Sequence, residues 1–397
     1  MRLTARINRI KPSPTLAITM KANSLRAEGR DIVGFGAGEP DFDTPDHVKR
    51  AAVQAIGDGF TKYTPVGGID ELKDAIIGKL KRDNGLDYAR GQICVSCGAK
   101  HTLYNLAQVL FEEGDEVIVP SPYWVSYPDI VVLTGARAVI LETKAAEGFK
   151  IRPESLEAAI NERTRAVILN SPSNPSGVAY SPAELEKLAG VILRKQVLAI
   201  SDDIYEKILY DGLPFANVAS VDPAMKERTV VVNGLSKSHA MTGWRIGYAA
   251  GPAEIIAAVT KLQSQNTSNP NSIAQKASVE ALNGDQSIVG EMVREFQKRR
   301  NIIVERLNAI PGIFCMVPQG AFYVFPSIAG LLGRKHGGKV LASSADVAAW
   351  LLDEANVAVI PGGEFGHDDH IRLSYATSMA QIEKGLDRIR DAVMKLA

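Results

Sequence analysis

Apolar and polar positions along the chain fall into two textures. Continuous apolar runs occur at "QICVSC", "DEVIVP", "ARAVILE", "RAVILN", "VLAISDD" and "RTVVVNG", between residues 92 and 234. Short, unbroken and rich in Val and Ile, they predict strands buried on both faces. Several are separated by stretches with helical spacing. In "HTLYNLAQVLFEEGD", Leu103, Leu106, Ala107 and Leu110 line one face, and Gly114 offers a C-terminal stop. Strands alternating with helices predict an α/β fold with a mostly parallel sheet covered on both sides.

After residue 280 the pattern changes. A long helical stretch, "SIVGEMVREFQKRRNIIVERLNAIPG", leads to a strand-like "GAFYVFP". The helix "SADVAAWLLDEANV", the strand "HIRLSYA" and a final helix follow. These elements predict a smaller α/β lobe. The first 45 residues stay outside the alternating pattern and are expected to cross to that lobe. The expected division is a large domain over 46–285 and a small domain built from 1–45 and 286–397.

Composition removes several classes of partner. The 397 residues carry 45 basic and 45 acidic side chains, which gives no electrostatic reason to expect nucleic acid or an anionic membrane. The first residues, "MRLTARINRIKPSPT", lack the apolar run of a signal peptide. No stretch approaches the roughly 18 apolar residues of a membrane span. Three cysteines, an odd number in so long a chain, suit a reducing compartment, and a cytoplasmic location is expected. Cys94 and Cys97 form a C-x-x-C, but on a strand rather than at a helix start, so they read as core or wall residues.

Chemistry-bearing residues collect after the strands, where open α/β sheets bind ligands. "QICVS" is followed by Cys97-Gly98-Ala99-Lys100 opening a helix, whose free N–H groups and dipole favour a phosphate. "DEVIVP" is followed by Trp124 in a proline-bounded loop, a flat stacking surface. "RAVILN" is followed by Asn174 between Pro172 and Pro175. "VLAIS" ends on Asp202, a carboxylate that must be paired at the end of so apolar a strand, with Tyr205 one turn on. "RTVVVN" leads to Lys237, and Arg245 follows in "MTGWRIG".

Motifs for other chemistries are missing. There is no G-x-G-x-x-G after the first strand and no P-loop. Nor is there an H-E-x-x-H, a second cysteine pair for zinc, or a G-x-S-x-G elbow, and no metal is expected. A phosphate, a flat ring, a cationic ring nitrogen and an aldehyde would together use every group named above. Pyridoxal 5′-phosphate (PLP) has all four.

With these residues in place, "NGLSKSHAMTGWRIGYAAGP" resembles the Schiff-base segment of class I aminotransferases, within fold type I of the PLP enzymes. "GAGEPDFDTP", "KYTPVGG", "SCGAKHTLYN", "PSPYWVSYP", "NSPSNPSG", "SDDIYE" and "IRLSYATS" match in order along almost the whole chain. The likeness is greatest to a bacterial aspartate aminotransferase subgroup that includes bifunctional aspartate/prephenate enzymes. It implies a large domain with a seven-stranded sheet, a smaller α/β domain, and a homodimer with shared active sites.

The resemblance also implies roles. Lys237 would bind the cofactor covalently and act as the base at the substrate carbon. Gly98, Ala99, Ser236 and Arg245 would hold the phosphate, and Tyr63 would reach the phosphate in the neighbouring subunit. The family's usual phosphate-binding serine, three residues before the lysine, is Gly234 here. Trp124 would stack on the ring, Asn174 and Tyr205 would bond its phenolic oxygen, and Asp202 would pair with the ring nitrogen. For the substrate, Arg372 would clamp the α-carboxylate with help from Gly38, Trp124 and Asn174. The region "QSQNTSNPNS" lacks the partner-subunit arginine that other aspartate aminotransferases use. Lys100, Lys11 and Thr15 would take over its role toward the distal carboxylate. His101 and His239 match no family catalytic position and read as wall residues.

The implied reaction is transamination between aspartate and 2-oxoglutarate, with prephenate as a further acceptor. The alternative is an aminotransferase for aromatic or neutral amino acids. A PLP lyase or a PLP-binding regulator would share the fold.

Overall fold

The computed structural model describes residues 2–12 and 14–396, leaving aside the side chains of residues 14–16. Its centre is a sheet of β1 (Ile93–Ser96), β2 (Glu116–Ser121), β3 (Arg137–Glu142), β4 (Thr164–Asn170), β5 (Leu198–Asp202), β6 (Thr229–Gly234) and β7 (Gly247–Ala250). The spatial order is β1-β7-β6-β5-β4-β2-β3. Only β7 runs against its neighbours; the other pairings are parallel. The apolar runs predicted six of these strands. The run "GYAA" of β7 is four residues long and carries two alanines, too little signal to stand out beside the Val/Ile strands.

Alternation along the strands explains why both faces are covered. On β2, Val117 and Val119 join one apolar cluster with Leu103 and Leu106, while Ile118 joins another with Leu185 and Leu188. The first cluster rests on the helix Ala99–Leu110 and the second on the helix Pro182–Lys195. The second helix starts in a capping box, with Ser181 accepting from the Glu184 N–H and the Glu184 side chain reaching back to Ser181. The helix Ala99–Leu110 ends at an extended Phe111 rather than at Gly114, which takes a positive φ in the following turn into β2.

A second body holds the helices Ser287–Asn308, Ser344–Ala355 and Met379–Val393. They surround the antiparallel strands β8 (Tyr323–Val324), β9 (Ile360–Pro361) and β10 (Ile371–Ser374), in the order β9-β10-β8. The N-terminal segment contributes here: Val33–Gly34 pairs in parallel with Val357–Ala358, and Val33 and Phe35 enter this core beside Phe296 and Leu386. The same segment forms a helix, Pro14–Ala27, which its Pro and Gly content did not suggest. Among the described residues, no helix is long and apolar enough to cross a membrane.

Candidate active site

Six strands deliver residues to one rim of the large sheet. β1 runs with β4, β5 and β6 because β7 opposes both its neighbours, so all their carboxyl ends share one side. β7 begins where they end, which is why Arg245, two residues before it, reaches the same rim. Gly247 pairs with Ser96 on one side and Gly234 on the other. A Cβ there would lie 2.2 Å from the Ala99 nitrogen, so only glycine lets the strand pass under the helix start.

A cavity of about 390 Å³ opens at this rim. Gly38, Ala99, Lys100, Trp124, Asn174 and Asp202 line it, together with Tyr205, Ser236, Lys237, Arg245 and Arg372. Gly98 lies directly behind Arg245: its φ is +93°, and a Cβ would stand 2.4 Å from the Arg245 Nη2. The guanidinium is held by the Thr242 carbonyl at 2.8 Å and the Cys97 carbonyl at 3.4 Å. Arg245 and the first N–H groups of the helix, which have no intrahelical acceptor, thus converge on one corner. Gly234 could not supply a hydroxyl there, because even a Cβ would stand 2.8 Å from the Ile246 carbonyl.

Lys237 opens onto the cavity, and its Nζ donates to the Gly38 carbonyl. Burial, with the cations Arg245 and Arg372, lowers its pKa to about 8 against the pull of Glu39 and Asp202. Asp202 ends β5 fully inside. Burial raises its pKa to about 6, offset by the Tyr127 hydroxyl, the Ile204 N–H and Lys237. Asn170, paired in register with Asp202, donates to the Asp202 carbonyl at 2.8 Å and accepts from the Asn174 N–H at 2.9 Å.

Arg372 lies on β10, buried to 2% exposure. Its Nη1 donates to Asn174 Oδ1 at 3.0 Å and its Nη2 to the Gly36 carbonyl at 2.8 Å. Its Nε is buried with no partner. Such an orphaned buried donor is costly. Trp124 stands edge-on to Tyr127 at 5.3 Å, and the Lys100 ammonium lies 4.8 Å from the Trp124 ring.

Other expected residues lie elsewhere. Tyr63 is 91% exposed and outside the cavity. Lys11 is exposed and does not line the cavity. Thr15 falls in the helix Pro14–Ala27, and its side chain lies outside the described residues; that helix touches the cavity through Thr19. His239 is buried between Ser238 and Gln286, and burial lowers its pKa to about 4. His101 accepts from the Cys97 N–H at 3.2 Å, which braces the turn behind Gly98. Cys94 and Cys97 are free thiols.

Sequence reading passed over Tyr127, Asn170, Glu39, Thr19 and Tyr323, all of which line the cavity. Tyr127 and Asn170 stood in motifs quoted above, and a search for polar partners to the buried Asp202 could have found both. Outside the cavity, His367, Asp369 and His370 place possible metal-ligand atoms within 4.8 Å of one another. His370 is bonded to Asp369 at 2.8 Å and His367 to the Ser121 hydroxyl at 3.3 Å, contacts that account for the cluster without an ion.

The family model for aminotransferase class I and II matches residues 30–389. The chain belongs to this family. This aminotransferase is 51% identical to the aspartate/prephenate aminotransferase of Nitrosomonas europaea over 98% of its own length and 99% of the relative's. It is 51% identical to the aspartate aminotransferase of Geobacillus stearothermophilus over 98% of each chain. Among solved structures, the Rhizobium meliloti aspartate aminotransferase superposes with a TM-score of 0.97 at 49% identity over 100% of both chains. The Thermus thermophilus aspartate aminotransferase with maleate gives 0.93 at 43% identity over 99% of this aminotransferase and 100% of that chain.

Proposed function

We propose that this aminotransferase moves an amino group between L-aspartate and 2-oxoglutarate, giving oxaloacetate and L-glutamate, with prephenate as a further acceptor. The observation that carries the reading is that a buried Arg372, fixed by Asn174 and Gly36, lines one cavity with Lys237 and Asp202. A carboxylate held by Arg372 would place its α-carbon beside an amine of lowered pKa.

The residues fit PLP. The Gly98–Ala99 turn packs directly against the Arg245 guanidinium, so the helix N–H groups and this cation share one corner suited to a phosphate. Asp202 offers a buried carboxylate whose burial cost a cationic ring nitrogen would relieve. Trp124 offers the aromatic face, Asn174 and Tyr205 the hydrogen bonds, and Ser236 a hydroxyl toward the phosphate. When bound, PLP supplies an aldehyde for the substrate amine and a cationic ring that draws electrons from the Cα–H bond. Lys237 Nζ then takes the Cα proton, a task its lowered pKa suits near neutral pH. Arg372 orients the α-carboxylate with Gly38 and Asn174.

Aspartate specificity rests on Lys100 at the cavity rim, and we assign Lys11 and Thr15 of the N-terminal segment to the same recognition on the resemblance alone. Relatives named for aspartate and for prephenate support it, as does the Thermus structure with maleate, a dicarboxylate. Tyr63, exposed in a single chain, reaches the phosphate corner of a second copy, so the working form is a homodimer. We place it in the cytoplasm. We divide the chain into a large domain over 46–285 and a small one over 1–45 and 286–397, supported by Val33 and Phe35 packing beside Phe296 and Leu386.

Nitrogen-15 transfer tests the reaction: labelled aspartate with 2-oxoglutarate should yield labelled glutamate, and its absence would overturn the reading. Lys11→Ala should lower prephenate turnover more than oxaloacetate turnover; equal losses would remove Lys11 from discrimination. Mixing inactive Lys237→Ala and Tyr63→Phe chains tests the shared site. Activity regained on mixing supports the dimer, and none regained contradicts it.

A further inference from the structure

The Tyr323 side chain touches three functional groups at once. Its hydroxyl lies 2.8 Å from the Tyr205 hydroxyl. Its ring centroid lies 4.6 Å from the Arg372 guanidinium carbon. A Cβ on Gly38, whose carbonyl takes the Lys237 amine, would stand 3.0 Å from the Tyr323 hydroxyl. The backbone fixes this placement, since Tyr323 on β8 pairs with Ser374 on β10, two residues from Arg372.

A phenol has one hydrogen to donate. If two phenols share a hydrogen bond and one also donates elsewhere, the direction of the shared bond is set. Tyr205 can donate to a ligand oxygen in the cavity only if Tyr323 donates to Tyr205. We infer that Tyr323 is a positioning residue that orders the Tyr205 hydroxyl as a donor toward the cofactor's phenolic oxygen, in the chain Tyr323 O–H to Tyr205 O–H to cofactor. The inference rests on the PLP reading above.

Hydrogen bonds in such a chain strengthen one another, so Tyr323 makes Tyr205 the better donor. Burial raises the pKa of both phenols, so both keep their protons across the working range. The other charged or titratable groups around the pair are Arg372, Asp202 and Lys237, with Tyr127 on Asp202. Arg372 and Asp202 are unchanged by removing one hydroxyl. The ring of Tyr323 also stays under Arg372 in a phenylalanine variant, which separates the two roles of the side chain.

The test is a pH titration of the bound cofactor's absorbance in wild-type holoenzyme, Tyr323→Phe, Tyr205→Phe and the double variant. A donor to the phenolic oxygen stabilises its anionic form, so Tyr323→Phe should move the midpoint upward by about half a pH unit or more. Tyr205→Phe should move it further. The double variant should match Tyr205→Phe alone, because Tyr323 acts through Tyr205. Affinity for maleate should stay within about twofold in Tyr323→Phe, since the Arg372 clamp is intact. An unmoved midpoint, or shifts that add in the double variant, would overturn the inference. A wild-type protein whose added PLP gives no pH-dependent absorbance would instead overturn the cofactor reading. Thermal midpoints of the variants identify any loss that comes from folding.

Discussion

The Tyr127 hydroxyl donates to the Asp202 carboxylate at 2.6 Å, both residues being buried and lining the cavity. Tyr127 comes from the helix Ser126–Val132 after β2, and Asp202 from the end of β5. Burial alone would push the Asp202 proton on; this hydroxyl is the largest force taking it off. The negative charge that Asp202 offers a ring nitrogen therefore depends on Tyr127.

Replacing Tyr127 with Phe should raise the Asp202 pKa and move the acid limb of the kcat profile upward. The loss should be roughly tenfold at pH 6 and smaller at pH 8, the size of one charge-assisted hydrogen bond. A pH–rate profile checks it. A loss equal at both pH values would show that Tyr127 merely packs.

Asp202 also contributes to the pH dependence of the cofactor-free protein's stability. Its folded pKa of about 6 exceeds the ordinary 3.8, so the folded chain keeps a proton that the unfolded chain has released. The stability from this group is complete below about pH 4 and is lost as pH rises through about 6. Asp202→Asn should therefore stabilise the cofactor-free protein at pH 7, by about 3 kcal/mol at most. It should also abolish turnover. Urea melts at pH 4 and pH 7 would show it, and the gain should vanish at the lower pH.

The positions that sequence made legible are those where chemistry contradicts surroundings. Asp202 at the end of "VLAIS" and Lys237 after "RTVVVN" stand out because apolar strands do not end on charges without a reason. Arg372, within "HIRLSYA", is legible only through the family resemblance. Tyr127 and Tyr323 did not stand out, because a tyrosine in an apolar run reads as core. What distinguishes them is where the hydroxyl ends, and that depends on contacts between residues 75 and 118 positions apart. β7 hid for another reason: it is four residues long, and its Gly247 is required for close approach beneath the start of the helix Ala99–Leu110 rather than for apolar bulk.

Gly98→Ala should weaken PLP binding by about tenfold or more, since the added Cβ must displace Arg245 and alanine is strained at φ +93°. Equilibrium binding by absorbance measures this. Gly98 is a glycine for space as well as for φ, so unchanged affinity would contradict both reasons.

Arg372→Lys should weaken substrate binding on the order of 100-fold, because an ammonium cannot reproduce the planar fork that spans Asn174, Gly36 and a ligand. Titration with maleate separates this from chemistry. The binding of PLP itself should hardly change.

Single-turnover reaction of the PLP-loaded enzyme with separate amino donors, followed by the cofactor's absorbance, decides most. Aspartate and glutamate should convert it rapidly to the amine form, and arogenate should do so as well. Rapid conversion by phenylalanine alone, with aspartate and glutamate inert, would contradict the assignment of Lys100 to the distal carboxylate of a dicarboxylate substrate.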